Sequence, residues 1–481
     1  GLCRPMRLRT PLLLVMLLCG ARAARAQDST GSGPVPASML GLDSLLGVRV
    51  STGARYSQDV SEVASSVTIV TAEDIARYGY RTLDEVLAAT PGFYTSNDRN
   101  YTYIGTRGFS RPTDYNNRIL LLVDGNAVNE GVWGGAPMGG DLALSLRGME
   151  RIEIIRGPGS ALYGTGAMFG VVNLITRTTA TVDGGEVGVH GGGEGRRGAD
   201  VLYGHRFPDG TGVTLAAAWE RADGADRFYK EYDDPTSNNG VANNLDWERR
   251  LGVHSSVSRG NLRLHGRYSA RRKGIPTGAY EMAFNSPEAA SLDAYAALEF
   301  DYDAELTPDK HLSTRAYFNR YRYEGDYPTV TDSLGGITNV TEGGRNTVLG
   351  AEATLQWDLG PGNRLTVGSE VRRTLEASYY LPRQGPRALD LDQPSTRVSA
   401  YAQDEFHLSR RLTLLAGLRF DGYTRSQDAV SPRLAAILRP GRRATVKLLY
   451  GSAFRAPNVY EQGAVSADYL PNPELAPERV H

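Results

Sequence analysis

The sequence has little cysteine, and beyond its first residues it lacks the long apolar runs that mark transmembrane helices. Only two cysteines occur among its 481 residues, and both of them, Cys3 and Cys19, lie near the start. The rest of the chain therefore offers neither a disulfide nor a thiolate metal site. After residue 26 no segment has about 18 consecutive apolar residues, which excludes a transmembrane helix there.

The first 26 residues are predicted to be a secretory signal peptide. Arg4, Arg7 and Arg9 form a basic start, an apolar core follows at 11–19, and Ala24-Arg25-Ala26 matches a cleavage site. Cleavage would remove five of the 53 basic residues, leaving 48 against 54 acidic residues. This small negative charge gives no reason to expect nucleic acid as a partner. The 56 glycines and 26 tyrosines favour a turn-rich β protein.

A glycine-rich loop in "RIEIIRGPGSALYGTGAMFGVVNLIT", residues 151–176, lacks lysine. A P-loop needs lysine directly after its last loop glycine, and Thr165 stands at that position. The residues after the loop, Val171 to Ile175, form a strand pattern and not a helix, which argues against a dinucleotide fingerprint. The segment is therefore predicted to be a tight strand–loop–strand unit.

Residues 67–177 are predicted to form a mixed α/β domain that starts with a strand at 67–70. Capping-box patterns at Thr71–Asp74 and Thr82–Glu85 each open a helix, the first stopping near Gly79 and the second before Pro91. An apolar strand at Ile119–Val123 precedes a hairpin turn at Asp124-Gly125. Further strands at 150–156 and 171–176 flank the glycine-rich loop.

After about residue 182 the pattern changes to a two-residue alternation over about ten residues. Leu262, Leu264 and Tyr268 lie on one face of a strand, and Asn261, Arg263, His265 and Arg267 lie on the other. Residues 412–421 show the same pattern, with apolar residues on one face of the strand and mostly polar residues on the other. Such alternation is typical of transmembrane β-strands, although a soluble sheet with one wet face shares it.

The connections between these strands favour a membrane barrel. Short turns are predicted at 208–210, 259–260, 308–310, 361–363, 409–410 and 440–442. Long polar loops are predicted between them, at about 222–245, 273–291, 325–344, 379–395 and 424–430. Alternating short and long connections are typical of an outer-membrane barrel, with tight periplasmic turns and long outer loops.

This pattern gives about thirteen strands, the last near 444–453. An open sheet would leave unpaired backbone groups in lipid, each at a cost of several kcal/mol. The sequence also stops in a polar stretch at His481. We therefore expect a fragment that lacks the C-terminal part of its barrel.

An ordered set of motifs resembles the TonB-dependent outer-membrane receptors from about Gly47 to the end. These motifs are "SSVTIVTAEDI", "TLDEVLAATPGF", "IGTRGF", "ILLLVDG", the glycine-rich segment quoted above, "SAFRAPNVYE" and "NPELAPE". The resemblance implies an α+β plug domain inside a transmembrane antiparallel β-barrel of 22 strands, of which about 13 are present. The implied division is a signal peptide at 1–26, a disordered periplasmic segment at 27–46, a TonB-box region at 47–56, a plug at 57–180 and a partial barrel at 181–481.

The family also has an energising segment, the TonB box, which pairs as a strand with the periplasmic protein TonB. The best match is Val48, Arg49, Val50, Ser51 and Thr52, with an ordinary plug strand as the alternative. The resemblance further implies the ExbB–ExbD complex as the source of work from the proton-motive force.

Candidate ligand-binding residues are aromatic and arginine side chains in the middle of the plug, which suit bulky, anionic or aromatic chelates. They are Tyr94, Tyr101, Tyr103, Phe109, Arg111, Tyr115 and Trp133, and the alternative for each is packing in the plug or against the wall. Arg107 is expected to be a buried plug–barrel ion-pair partner. Structural roles in the plug are expected for Gly108, Gly157, Gly159, Gly164 and Gly166.

The function that this resemblance implies is import of a ferric siderophore across the outer membrane of a Gram-negative-type bacterium. Cobalamin or another metal chelate is the alternative within the family. Heme is disfavoured because no histidine lies between Phe454-Arg455-Ala456-Pro457 and Asn472-Pro473-Glu474-Leu475. A passive porin would lack the plug, and no nucleophile–base set supports an enzyme. The seven histidines show no ligand spacing, so no metal site or cofactor is expected.

Overall fold

The computed structural model describes residues 49–50, 52, 58–59, 62–111, 113–330, 336–382, 389–441, 444–465 and 470–481. Its first part is a small α/β domain, the plug, that precedes a large antiparallel sheet. The plug contains strands β1 to β9 and helices α1 to α3. Their bounds are β1 Arg49–Val50, β2 Gln58–Asp59, β3 Ser66–Thr71, α1 Ala72–Tyr78, α2 Leu83–Ala88, β4 Phe93–Asn97, β5 Thr102–Thr106, β6 Ile119–Val123, β7 Asn126–Ala127, β8 Met149–Arg156, α3 Ser160–Tyr163 and β9 Gly170–Thr176.

The two predicted helices differ in how they begin. The hydroxyl of Thr71 accepts from the N–H of Asp74, whose carboxylate accepts from the N–H of Thr71, so the predicted capping box is confirmed. The helix ends at Gly79 with φ +69°, a left-handed conformation that glycine adopts without strain. Thr82 makes no capping bond, and the carboxylate of Glu85 instead accepts from the N–H of Arg81. The second box is therefore wrong, although its helix forms.

The plug sheet has the order β3-β8-β9-β6-β7. β6 and β9 are parallel, whereas β3–β8 and β8–β9 are antiparallel. Both faces of β6 are covered, which explains its continuous apolar sequence. Leu121, Ile152 and Leu174 are completely buried together with Leu87 of α2. This core gives the plug a rigid centre, from which β4, β5 and several loops project.

The glycine-rich segment is a strand–loop–strand unit, as predicted, but its loop also contains helix α3. The N–H of Gly166 donates to the carbonyl of Phe454, and the hydroxyl of Thr165 accepts from the N–H of Ala456. The loop therefore packs against the Phe454-Arg455-Ala456-Pro457 motif of the second domain. Among the described residues, no helix has the length and apolar character needed to cross a membrane.

The large sheet has fourteen strands, of which thirteen follow one another in the order β10-β11-β12-β15-β16-β17-β18-β19-β20-β22-β23-β24-β25, in agreement with the expected count of about thirteen. β21 pairs with β20, and the pairs β13–β14 and β26–β27 lie outside the sheet. The bounds are β10 Gly184–Gly191, β11 Arg197–Arg206, β12 Gly212–Ala222, β13 Arg227–Phe228, β14 Val241–Ala242, β15 Glu248–Arg259, β16 Leu262–Gly274, β17 Ala290–Thr307, β18 Lys310–Val330, β19 Ile337–Gly360, β20 Asn363–Leu381, β21 Leu389–Asp392, β22 Ser395–Ser409, β23 Leu412–Tyr423, β24 Ala429–Gly441, β25 Ala444–Gly451, β26 Ala453–Arg455, α4 Val459–Gly463 and β27 Glu478–Val480. Short 3₁₀ helices occur at Gly140–Leu142, Leu146–Gly148, Lys230–Tyr232, Pro235–Gly240 and Ala279–Glu281.

Short turns and longer connections alternate along this sheet, so it has a short-turn end and a long-loop end. Strands are separated by only two to five residues at five of the predicted short turns, from 207–211 to 410–411. Of the sixth predicted turn, 440–442, residue Arg442 lies outside the described residues. The predicted loop at 325–344 is wrong over most of its length, because β18 and β19 stay paired up to Val330 and Ile337. Threonine, tyrosine and valine in this segment favour extended backbone, and paired strands satisfy each other's backbone groups.

The sheet carries apolar residues on its outer face and charged residues on its inner face. Leu264 is 43% exposed and Leu418 is 52% exposed, whereas His265 and Arg419 are buried. A soluble protein has the opposite arrangement, with apolar side chains inside. An apolar outer face around a polar interior is typical of strands that face lipid.

The plug lies against the inner face of the sheet, which we call the wall. Wall cations donate hydrogen bonds to main-chain carbonyl groups of the plug. The pairs are Arg267 with Val123 at 3.2 Å, Arg271 with Asn100 at 2.5 Å, Arg315 with Asp124 at 2.6 Å, Arg419 with Leu162 at 3.3 Å, Arg433 with Ala64 at 2.7 Å and Lys447 with Val63 at 2.7 Å. These contacts extend from β16 to β25, so the wall holds the plug from several sides.

The plug residue expected to form an ion pair with the wall does not do so. Arg107 is exposed, and among the described residues no salt bridge joins it to the wall. It has φ +52° in the tight turn after β5, next to Gly108 with φ +85°. Other plug arginines pair with carboxylates of the second domain instead, namely Arg147 with Asp200 at 3.2 Å and Arg99 with Asp246 at 3.8 Å.

The glycine-rich loop has no room for a side chain between Gly164 and the wall. A Cβ atom there would lie 3.2 Å from Nη2 of Arg419 and 3.2 Å from Oδ1 of Asp421, and the φ of +77° already disfavours a side chain. Both wall residues are fully buried and bonded to each other, with Nε of Arg419 2.9 Å from Oδ1 of Asp421. Neither partner can move without breaking that pair.

We expect Gly164→Ala to destabilise the protein more than Gly108→Ala. Both positions have positive φ, which costs about 1–2 kcal/mol with any side chain, but a Cβ at Gly108 meets nothing within 4 Å. The extra contact with Arg419 should lower the free energy of unfolding by about a further 1–2 kcal/mol. Urea unfolding of the two detergent-solubilised variants measures this difference. Equal losses would show that the approach to Arg419 contributes nothing.

Candidate functional site

A cavity of about 750 Å³ lies between the plug and the long-loop end of the wall. On the plug side it is bounded by the turn before β5 and by the segments at 111–118 and 130–137. On the other side it is bounded by wall strands β17 to β20 and by α4. The plug core supports the plug loops that form the floor of this cavity.

The cavity lining is rich in tyrosine. Nine tyrosines and one tryptophan face it, namely Tyr101, Tyr115, Tyr280, Tyr295, Tyr321, Tyr323, Tyr327, Tyr379, Tyr460 and Trp133. Trp133 is central, since its ring makes edge contacts with Tyr323 at 5.2 Å and with Tyr379 at 5.3 Å between centroids. Such side chains provide apolar ring faces for a bulky ligand and hydroxyl groups for its polar atoms.

Buried carboxylates hold several of these rings in place. Asp293 accepts hydrogen bonds from the hydroxyls of Tyr101 at 3.0 Å and Tyr321 at 2.9 Å. In the same way Glu342 accepts from Tyr323 at 2.7 Å and from Tyr379 at 2.6 Å. Because Tyr101 belongs to the plug and the other residues to the wall, the first network also joins the two domains.

The loop that carries Trp133 folds around the side chain of Glu130. The carboxylate of Glu130 accepts from the backbone N–H groups of Val132 at 2.6 Å, Trp133 at 3.1 Å and Gly135 at 2.6 Å. Burial raises the pKa of Glu130 to about 7, although these hydrogen bonds act in the opposite direction. The main-chain carbonyl of Trp133 accepts from the amide of Asn458 at 2.7 Å, which fixes the loop against the end of the wall.

The cavity lining has more acidic than basic groups. Among the described residues it includes six carboxylates, Asp114, Glu130, Asp141, Asp293, Glu342 and Glu461, but only two arginines and no lysine or histidine. Arg118 is paired with Asp114 at 2.7 Å and with Glu478 at 2.7 Å. Arg111 is exposed and remains the main cation available to a ligand.

Four of the seven candidate ligand-binding residues line this cavity, namely Tyr101, Arg111, Tyr115 and Trp133. Tyr103 is buried beneath them, where its hydroxyl donates to Asp98 at 2.8 Å. Tyr94 lies across Gly105 of the neighbouring strand and is 42% exposed. Phe109 is 67% exposed, with its ring 6.1 Å from that of Phe169. These last three residues do not face the cavity.

The wall half of the cavity was not predicted from the sequence. Its seven tyrosines are spread from Tyr280 to Tyr460, far apart along the chain. One local signal was available, since Tyr321, Tyr323 and Tyr327 recur at even spacing on the inner face of β18. Read with the strand alternation, this spacing would have indicated an aromatic inner surface.

The proposed TonB-box residues lie away from the cavity, on the plug. Arg49 and Val50 form β1, which pairs with β2, whereas Val48 and Ser51 lie outside the described residues. Thr52 is buried, and both its N–H and its hydroxyl donate to Oε2 of Glu153, at 2.8 and 2.5 Å. Its carbonyl accepts from the hydroxyl of Tyr163 at 2.8 Å. The segment is therefore anchored to the plug sheet at Thr52.

Comparison with known proteins supports the two-domain division. A family model described as TonB dependent receptor-like, beta-barrel matches residues 187–481, and one described as TonB-dependent Receptor Plug Domain matches residues 59–171. The vitamin B12 transporter BtuB of Vibrio vulnificus is 23% identical over 400 residues, covering 69% of this chain and 63% of the transporter. The ferric enterobactin receptor of Pseudomonas aeruginosa is 26% identical over 516 residues, covering 96% of this chain and 66% of the receptor.

Solved structures show the same fold. A crystal structure of the Pseudomonas aeruginosa ferric enterobactin receptor has a TM-score of 0.65 at 20% identity, covering 84% of this chain and 63% of that one. The siderophore receptor PirA from Acinetobacter baumannii has a TM-score of 0.63 at 19% identity, covering 86% and 66%. The chain spans slightly less than two thirds of the length of these relatives.

The buried carboxyl of Asp141 at the cavity floor should make stability depend on pH. Burial raises the pKa of Asp141 to about 7, so its contribution is complete below the usual aspartate pKa of about 4 and is lost as pH rises through 7. Asp141→Asn keeps the oxygen that accepts from the N–H of Gly139. We expect it to remove a fall in the free energy of unfolding with rising pH of at most about 1.4 kcal/mol per pH unit. Urea unfolding between pH 4 and 8 measures it, with exposed Asp233→Asn as control. An unchanged slope in Asp141→Asn would contradict the assignment.

Proposed function

The chain belongs to the TonB-dependent receptor family, and from this premise we propose that it acts in the outer membrane as a receptor that imports a scarce metal chelate. The observation that carries the proposal is the tyrosine-rich cavity at the long-loop end, closed below by the plug. The plug blocks passive flow through the lumen, which distinguishes the protein from an open porin. A ferric siderophore is the first candidate ligand. The protein is a transport receptor and not an enzyme.

Tight capture of a scarce ligand makes its release inward slow, so import requires work. TonB would supply it by pairing with the box at residues 48–52, driven by ExbB–ExbD and the proton-motive force. Pairing of this kind adds a strand and uses free backbone N–H and C=O groups, so β1 would first have to separate from β2. A pull on residues 48–52 would be transmitted through Thr52 to Glu153 on β8 of the plug sheet.

The charge of the lining favours a neutral or positively charged chelate. The lining has six carboxylates and two arginines. Even with Glu130 and Asp141, whose pKa values are about 7, only partly ionised, its negative groups outnumber its positive ones and would repel a strongly anionic complex, such as Fe³⁺ bound by three doubly ionised catecholates. A ferric trihydroxamate carries no net charge on its iron centre and fits better. Cobalamin is the second candidate, since the same aromatic and hydroxyl-rich lining suits it and one relative is named as a vitamin B12 transporter.

We expect cells that produce the protein to bind a neutral ferric trihydroxamate at least about tenfold more tightly than a ferric tris-catecholate. Trp133→Ala should weaken that binding by about tenfold, because it removes the central ring of the cavity. Tyr94→Ala, which removes an exposed aromatic ring outside the cavity, is the matched control and should bind normally. Binding of radiolabelled iron complexes to whole cells measures all three. Tighter binding of the catecholate would overturn the charge argument.

Energised import should depend on the backbone at residue 50. Val50→Pro removes an N–H group that strand pairing needs, whereas Val50→Ala keeps it. We expect Val50→Pro to abolish accumulation of radiolabelled iron inside cells while surface binding stays unchanged, and Val50→Ala to retain both. Continued accumulation in the proline variant would place the energising segment elsewhere in the chain.

A further inference from the structure

A second cluster of ligand-type side chains lies at the plug–wall interface, nearer the short-turn end than the cavity. Asp124 is in the turn between β6 and β7, His254 is on β15 and His265 is on β16. One donor atom from each lies within 4.8 Å of the other two, and both histidines are buried. We propose that these three residues form a binding site for a divalent transition-metal ion that links the plug to the wall.

The two histidines come together through the register of neighbouring strands. His254 lies opposite Arg267, and His265 lies opposite Ser256, so the two imidazoles are diagonal neighbours on the inner face. Their ring centroids are 6.1 Å apart. The turn at Asp124 then brings a carboxylate from the plug to the same place.

Three histidine nitrogens of this cluster lack hydrogen-bond partners. Nε2 of His254 and both ring nitrogens of His265 are buried and make no hydrogen bond among the described residues. A buried polar atom without a partner costs about 1–3 kcal/mol. Nδ1 of His265 is 3.8 Å from Oδ2 of Asp124, which is too long for a hydrogen bond. It is close to the spacing of about 3.4 Å between two tetrahedral ligands with metal bonds of about 2.1 Å.

The surroundings resemble those of known metal-binding histidines and carboxylates. Nε2 of His265 lies 3.2 Å from Oδ2 of Asp301, although the two atoms do not have hydrogen-bond geometry. A carboxylate on the far side of a ligating imidazole is the usual arrangement. The carboxylate of Asp124 accepts from the N–H of Thr176 at 2.9 Å and from its hydroxyl at 2.7 Å. Asp124 is thus oriented before an ion binds, and Asp301 is placed to orient His265.

The charged groups around the cluster have a net negative charge, which favours binding of a cation. Asp124, Asp301 and Glu299 are the nearby carboxylates, and Arg267 and Arg315 are the nearby cations. Arg267 pairs with Glu299 at 2.7 Å and Arg315 with Asp301 at 2.8 Å. With neutral histidines this group carries one net negative charge, centred on Asp124. Two imidazoles and one carboxylate favour Zn²⁺ or a similar ion over Mg²⁺ or Ca²⁺, with a fourth position open to water.

The ion would bind both domains, because Asp124 belongs to the plug and the histidines belong to the wall. Its affinity would therefore stabilise the docked plug over any displaced arrangement. The inference rests on the packing of the two domains and does not depend on which chelate the cavity takes.

The test is titration of the chelator-treated protein in detergent with Zn²⁺ by calorimetry. We expect one equivalent to bind in or below the micromolar range. His254→Gln and His265→Gln should each abolish saturable binding, and Asp301→Asn, which leaves all three ligands in place, should weaken it by about 10–100-fold. His190→Gln, a half-buried wall histidine outside the cluster, should bind normally. The absence of saturable binding, or full binding in both cluster variants, would overturn the proposal.

A second measurement does not depend on the folding of any variant. Co²⁺ added to the unmutated protein should give the visible absorption bands of a four- or five-coordinate site with nitrogen ligands, and Zn²⁺ should displace it. A spectrum typical of hydrated Co²⁺ at stoichiometric loading would also overturn the proposal.

Discussion

Wall arginines and a lysine donate hydrogen bonds to main-chain carbonyl groups of the plug, and most other features of the structure depend on these bonds. The outer face of the wall is apolar, so the charged residues of its strands point inward. The plug, enclosed by that inner face, has carbonyl groups that cannot all reach bulk water. Arg315 and Arg419 satisfy both requirements, since each bonds a wall carboxylate and a plug carbonyl.

An interface built in this way differs from an apolar core. Its bonds are directional, and wall charges are also paired with each other, as Arg419 is with Asp421 and Glu370. These directional bonds hold the plug in one position, together with an apolar contact of Ala64 with Leu415, Ala435 and Ile437. The close fit at Gly164 and the cluster around Asp124 are two places where contacts with the wall fix the position of the plug.

The cavity depends on the same docking. Trp133 and Tyr101 come from the plug, but Tyr323, Tyr379 and Asp293 come from the wall, so the aromatic lining is complete only when the domains are together. Movement of the plug would separate Tyr101 from Asp293 and open the lining. In the proposed import reaction, ligand release and plug displacement would thus be one physical event.

The sequence by itself determined the features that arise from neighbouring residues. The capping box at Thr71, the hairpin at Asp124 and the strand alternation were all predicted, because each depends on side chains a few positions apart. Four of the seven candidate ligand-binding residues also line the cavity. Only the tertiary structure decided which wall tyrosines meet Trp133, that Arg107 faces solvent, and that Asp124, His254 and His265 converge. The contacts of Trp133 with wall tyrosines and the approach of Asp124 to the two histidines join residues more than one hundred positions apart. Strand register and wall curvature, which no local pattern encodes, bring them together.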